Sequence, residues 1–290
     1  MQFLKKIFTP LTATLTFIGK HFKALLFLLI VYIIFFSGES VQNSNANLVE
    51  IDLKGEIIDA TEILEKIDEA SENNAIKGVL LNIDSPGGAL SPSVEISEAI
   101  KSLNSQKPVV AYASGTMASG SLLSGIWSEK IYANKGSFIG SIGVIMQGFD
   151  ISNLANKIGI GEQVVKAGEF KEAGTMMRKW SEKERESLQN LVNKSYEFFV
   201  GEVASARKLD ANKSDEWANA RVFLADDALR LGLIDGISSH KEAKIALEKL
   251  SGVALPIWQE LPPYEKMLNK LTAKGEMMIR SLLSAKIMAK

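Results

Sequence analysis

The sequence predicts an α/β fold from three observations. Strand-like and helix-like patterns alternate from Leu48 onward. Glycine-containing stretches, Ser85-Pro86-Gly87-Gly88 and Gly115-Thr116-Met117-Ala118-Ser119-Gly120-Ser121, follow two of the strand patterns. The 290 residues are 46% hydrophobic and 23% charged, which is enough apolar material for a sizeable core. In order along the chain, 48–53 alternates as a half-buried strand, and Ile63, Leu64 and Ile67 mark one helix face. Residues 78–83 are a short apolar strand running into Asp84 and the first glycine stretch. Ser91 is placed to cap a helix with Pro92 at its first position, and Ile96, Ile100 and Leu103 supply the buried stripe. Residues 109–112 form another strand, followed by the small-residue stretch 113–121. A long helix is predicted over 181–207, with Leu188, Leu191, Val192 and Tyr196 on one face.

Composition removes several functional classes. A formal net charge of -1 gives no concentrated basic surface for nucleic acid. No cysteine is present, so thiol nucleophiles, disulfides and thiolate metal sites are excluded together. Of the two histidines, His21 precedes a hydrophobic segment, so a Ser/His/Asp triad would rest on His240 alone, and no HExxH pattern occurs. A hydrolase built from this chain needs a different base.

Residues 24–36 are an unbroken apolar run that, with its flanks, reaches the ~17 residues needed to span a bilayer. Lys5, Lys6, Lys20 and Lys23 precede it without any acidic residue, which predicts a cytoplasmic N-terminus and the bulk of the chain outside. A cleaved signal peptide is the rival reading, since Ser44-Asn45-Ala46 has the small-x-small form of a cleavage site. The predicted organisation is a cytoplasmic N-terminus (1–23), a transmembrane anchor (24–40), a linker (41–47), a main domain (48–252) and a C-terminal tail (253–290). From 264 to 290 there are six Lys/Arg against two Glu, with Leu268, Leu271, Met278 and Leu282 at helical spacing. This basic amphipathic helix either packs on the protein or meets an anionic membrane surface.

Taken alone, the first glycine stretch reads as a turn whose paired glycines let backbone approach a ligand closely. In the second, a serine among small residues sits where a strand hands over to a helix, where unpaired amides suit an oxyanion. Serine in such a turn is commonly structural, and a lone residue does not identify a nucleophile. Gly159-x-Gly161 lacks the third glycine of a phosphate-binding motif.

The ordered set is more specific. Asp84-Ser-Pro-Gly-Gly, Ala118-Ser119-Gly120, Gly140-Ser141-Ile142-Gly143-Val144 and Ala167-Gly168-Glu169-Phe170-Lys171-Glu172-Ala173-Gly174 together resemble the bacterial signal peptide peptidase SppA (protease IV) family. The stretches 220–223 and 231–235 continue the match, which covers about 48–240. The resemblance implies a ClpP/crotonase-like fold of repeated strand-strand-helix units behind an N-terminal transmembrane helix. It implies a Ser/Lys dyad with Ser119 as nucleophile, Lys171 as base and Ser141 as a hydroxyl serving the lysine, and an oxyanion hole from the Gly88 and Gly120 amides. It also implies a homo-oligomer whose sites are shared between subunits, apolar peptide substrates such as cleaved signal peptides, and no cofactor or metal. The expected location is the cytoplasmic (inner) membrane, with a single pass and the catalytic domain on the outer, periplasmic side. Many relatives carry Gly-Tyr after the Ala-Ser-Gly core where this chain has Ser121-Leu122-Leu123, and Ser114, in its own Ala-Ser-Gly triplet, is the decoy for Ser119.

A lysine can act as base only once stripped of water, because a solvated one titrates near ~10.4 and burial favours its neutral form. Two rivals share the fold: a catalytically inactive oligomeric scaffold, and a crotonase-like acyl-CoA enzyme using carboxylates.

Overall fold

Val79, Leu80, Leu81 and Ile83 place apolar side chains on both sides of one strand, a pattern that is stable only where both faces of a sheet are covered. The computed structural model describes residues 16–29, 31–32 and 45–260 and meets that demand within a body spanning Ala46–Trp258. Strand β1 (Leu48–Ile57), β2 (Gly78–Gly88) and β3 (Val109–Ala118) run parallel, and β4 (Lys130–Ala133) and β7 (Gly236–Ile237) extend the sheet in the order β1-β2-β3-β4-β7. The second half of β3 pairs instead with β5 (Phe138–Gly140), which in turn pairs antiparallel with β6 (Val222–Leu224). The predicted α/β class with a parallel-rich sheet is therefore observed.

Outside this body, residues 16–29 form a helix, α1. No helix among the described residues is long and apolar enough to cross a membrane. The sequence-predicted span at 24–40 includes residue 30 and residues 33–40, and the basic tail includes 261–290, all of which lie outside the described residues.

Alternation sorts the core. Val79, Leu81, Ile83, Val109, Ala111 and Ala113 face one side, against α2 (Thr61–Glu72), α3 (Leu90–Asn104) and α4 (Gly120–Gly125). Leu80, Val110 and Tyr112 face the other, where Ala243 and Leu247 of α9 (His240–Leu250) close over them. Deleting a fully buried side chain such as Leu247 costs about 2–5 kcal/mol, so α9 is part of the fold rather than an appendage. Lys107 fastens α2 by donating its ammonium to the carbonyls of Ala70, Ser71 and Asn73 at 2.6–2.8 Å, a cationic cap on carbonyls that the helix leaves unpaired.

Two local expectations are corrected and a third is refined. Ser85–Gly88 is not a free turn: after a register shift between Lys54 and Glu56, β2 resumes pairing with β1 at Glu56/Gly87 and Ile57/Gly88. Helix α3 starts at Leu90 with Ala89 as its N-cap, so Ser91 and Pro92 lie inside the first turn, where proline's missing N–H has no partner to lose. The predicted helix over 181–207 is observed as α6 (Glu182–Arg207); of its one-face residues Leu191 is exposed, Leu188 and Val192 are half-buried and Tyr196 packs against the core, while Phe199, Val200, Val203, Ala204 and Glu184 are buried. Core contact in α6 thus begins at Tyr196 and continues through its last turns.

Those last turns are pinned by Arg207. Its Nη1 lies 3.0 Å from Asp235 Oδ2 and its Nε donates to the Gly232 carbonyl, while Asp235 also accepts from the Ile131 amide at 2.8 Å. Burial would raise the Asp235 carboxyl, but the bonds from Arg207 and Ile131 and the nearby Arg207 and Lys130 charges outweigh it and hold the group below its ordinary value. A depressed carboxylate stabilises the fold above the unfolded value of about 3.9, and that contribution disappears as pH falls through the folded value. Asp235→Asn is expected to cost about 2 kcal/mol at pH 7 in urea unfolding, and the gap to wild type should narrow progressively as pH falls below the ordinary carboxylate value.

Candidate active site

Ser119 stands between the last residue of β3 and the first of α4, with φ 53° and ψ -127°. A non-glycine residue at such a φ is strained by about 1–3 kcal/mol and persists only where its surroundings over-determine it. Here the Ser119 amide donates to the Gly140 carbonyl at 2.8 Å, and the Ser119 carbonyl accepts from the Leu123 amide at 3.1 Å. The backbone of β2 presses against the same junction. A Cβ on Gly87, itself at φ 95°, would fall 2.6 Å from the Gly120 nitrogen and 2.8 Å from Ser119 Cβ. Only glycine fits there.

Two amides border the space beside Ser119. The Gly120 amide is the first of α4 and has no acceptor within the helix. Ala89 donates to the Ile57 carbonyl, and successive amides along a strand point to opposite sides, so the Gly88 amide turns away from β1 toward the junction. A Cβ on Gly120 would lie 3.3 Å from the Gly88 nitrogen, which places the two glycines in contact. Ser119, Gly120 and Gly88 are thus brought together from two strands.

Ser141 follows Gly140, whose carbonyl receives the Ser119 amide, and it too has a positive φ, 51°, with its own amide donated to the Arg221 carbonyl at 2.6 Å. Ser114 lies on the exposed flank of β3 and donates to the Ile83 carbonyl, beside the Asp84 carboxylate that accepts the Thr116 amide. His240 is engaged elsewhere, its Nε2 2.8 Å from Glu50 Oε1 and its ring edge-on to Tyr112. Among the described residues no three His, Cys, Asp or Glu side chains group as metal ligands would.

Lys171 is not buried with these groups. It is exposed, in a run of turns over 167–174. What fixes this run is a polar chain reaching the start of α6. Lys166 and Arg178 both bond Glu172 Oε2, at 2.8 and 3.0 Å, and Arg178 grips both oxygens of Glu184 at 2.8 Å. Glu184 in turn closes a capping box with Ser181 at the head of α6. The Arg178 bonds, with the Ser181 amide, lower the Glu184 carboxyl to about 2, and Lys166 and Arg178 hold Glu172 below the usual carboxylate range. The Ser181-x-x-Glu184 spacing was the available sequence signal for this network; Ser121, described below, carried none.

Along the same stretch, Ile145, Phe149, Leu154, Ile158, Ile160 and Val165 are all exposed. Such a run is denser than the single scattered apolar residues ordinary for a surface.

Residues 101–254, just over half of the chain, match peptidase family S49. A Methanocaldococcus jannaschii protein named as a protease is 34% identical over 198 residues, 68% of this chain and 64% of its own. An Enterococcus faecium protein named as a signal peptide peptidase SppA is 32% identical over 71% of this chain and 64% of its own. The chloroplastic serine protease SPPA of Arabidopsis thaliana is 32% identical over 67% of this chain and 29% of its own. The chain thus spans less than two thirds of the length of these relatives.

Arg178→Met removes the link between the 167–174 run and α6 and leaves Glu184 buried without its cation. Limited proteolysis should then cut between 166 and 178 several-fold faster than in wild type, while the melting of the core sheet shifts far less.

Proposed function

Because this chain belongs to peptidase family S49, we propose that it is a membrane-anchored serine endopeptidase using a Ser119/Lys171 dyad. The observation that carries the reading is the Ser119 junction, a strained serine with the Gly88 and Gly120 amides on one side of it. Such a junction suits acyl transfer, because the donors are fixed before charge develops on the substrate carbonyl.

In the proposed cycle the neutral Lys171 amine takes the Ser119 hydroxyl proton as Oγ attacks the peptide carbonyl carbon. The carbonyl oxygen, now an oxyanion, lies against the Gly88 and Gly120 amides. The tetrahedral adduct collapses with cleavage of the C–N bond, and the Lys171 ammonium protonates the leaving amine. Water then attacks the acyl-enzyme, giving its proton to Lys171, and Ser119 is released with its proton restored. Ser141 orients the lysine amine through its hydroxyl. The cycle is balanced without cofactor or metal.

The lysine must lose its water to act in this way, and in one chain Lys171 is exposed. We therefore place the complete site between two copies, with the 145–176 stretch of one chain covering Ser119 of the next. The exposed apolar residues of that stretch support this reading, since they supply the surface that such an assembly would bury. The apolar run at 24–36 anchors the chain in the cytoplasmic membrane and leaves the body outside, where apolar peptides such as cleaved signal peptides are the substrates.

The test uses the full chain in detergent with apolar peptide substrates. Ser119→Ala and Lys171→Ala should each lower kcat by at least about 10³-fold with the fold intact by circular dichroism, and an unchanged rate in Lys171→Ala would remove the dyad. An equimolar mixture of the two variants should regain roughly a quarter of the wild-type rate, because one in four random pairings unites an intact serine with an intact lysine. No recovery despite demonstrated mixing of subunits counts against the shared site.

A further inference from the structure

Ser121 is fully buried, and its side chain does not face the space beside Ser119 as a specificity wall would. Its Oγ accepts the Ala118 amide at 2.8 Å and stands 2.7 Å from the Ser85 carbonyl and 2.9 Å from the Ala118 carbonyl. A hydroxyl has one proton to give, and the shorter contact directs it to Ser85. The resulting chain runs from the peptide just before the nucleophile, through one oxygen atom, into β2. Ser85, buried as well, accepts the Gly87 amide on its own Oγ at 3.1 Å. Gly87 is the residue pressed against Ser119 and Gly120, and Gly88 follows it.

This arrangement fixes a distance that no other side-chain hydrogen bond of Ala118–Ser121 sets. The two amides assigned above to the oxyanion come from different segments: Gly120 from the β3–α4 junction and Gly88 from the end of β2. Backbone pairing between β2 and β3 is irregular here, shifting register between Ile83 and Ser85 before resuming at Ser85/Met117. Beyond that last pair the Ser121 hydroxyl ties the segments together. We propose that Ser121 is a positioning residue for the oxyanion-binding pair, holding the Ser119 junction at the separation from β2 that lets the Gly88 and Gly120 amides converge on one oxygen atom. The proposal rests on the peptidase reading above and adds a residue to it.

Removing the hydroxyl leaves the Ala118 amide and the Ser85 carbonyl without their buried partner, and the junction and β2 are then free to part. A loss of alignment at this point weakens the transition state and spares the ground state, because substrate binding does not use these amides at full strength. Ser121→Ala and Ser121→Gly should therefore lower kcat roughly 10- to 100-fold with KM within about twofold of wild type. The affinity of a peptide aldehyde, which forms a tetrahedral adduct with a reactive serine, should fall by the same factor as kcat. Ser121→Thr, which restores the hydroxyl, should recover most of both. Measurements use the full chain in detergent, with Ser119→Ala alongside. If Ser119→Ala keeps its turnover, the peptidase reading falls and this proposal with it. If Ser119→Ala is inactive while folded Ser121→Ala or Ser121→Gly keeps wild-type kcat and aldehyde affinity, the positioning role alone is overturned. A loss that appears in KM, or that Ser121→Thr does not relieve while remaining folded, also overturns it.

Discussion

At the junction of β3 and α4, two stretches of backbone meet at a separation that excludes any side chain. Gly87 of β2 lies where a methyl group would strike both the Gly120 nitrogen and Ser119 Cβ, and Gly120 lies where one would strike Ser93 Oγ at 2.3 Å. The contact coincides with the positive φ of Ser119, and the pairing of Ile57 with Gly88 points the Gly88 amide away from β1. It also explains why β2 must continue past its apolar run: without the pairing of Gly87 and Gly88 to β1, nothing would carry those glycines to the junction. The sheet, its two helical covers and the Asp84 contact to Thr116 serve to bring this encounter about.

The rest of the chain is less self-sufficient. From Ile145 to Met176 the backbone is stabilised by local turns, the short α5 (Ser152–Lys157) and an ion-pair chain to Glu184, while its larger apolar side chains meet no core. The α6 face away from the core shares this condition, with Leu191 and Phe198 exposed. Natural sequences rarely leave so much apolar surface uncovered along one segment, which is the ground for the proposal that a second copy covers it. The charged network is suited to such a segment, since it fixes shape without needing a core of its own.

Much of the body was legible because its signals are local. The apolar runs of β2 and β3, the stripe Ile96-Ile100-Leu103 and the hand-over at Ser119 each follow from neighbours within one turn or one strand. The misreadings share one cause, which is that the deciding partner lies far away in sequence. Ser85–Gly88 resembles a turn until β1 is seen to pair with it. The start of α3 is set by Ala89, whose amide bonds Ile57, and not by the better capping residue at 91. The α6 face has the right period, and how far along it the core reaches, to Tyr196, is set by the sheet and helices behind it. Ser121 could not be read at all, since its role depends on β2 arriving at Ser85, and Arg178 bridges carboxylates on either side of it across a loop that has no period.

Both ends of the body come out at one place. Asn47 donates its amide to the Ile257 carbonyl and accepts the Ile257 amide on its side-chain oxygen, Leu48 bridges to Trp258, and Asn47 Nδ2 reaches the Leu255 carbonyl. The first and last described residues of the body therefore meet at a single corner of the sheet. The two ends of the body are thus tied to each other by one short ladder of hydrogen bonds, at the opposite end of β1 from Glu56 and Ile57, which pair with Gly87 and Gly88.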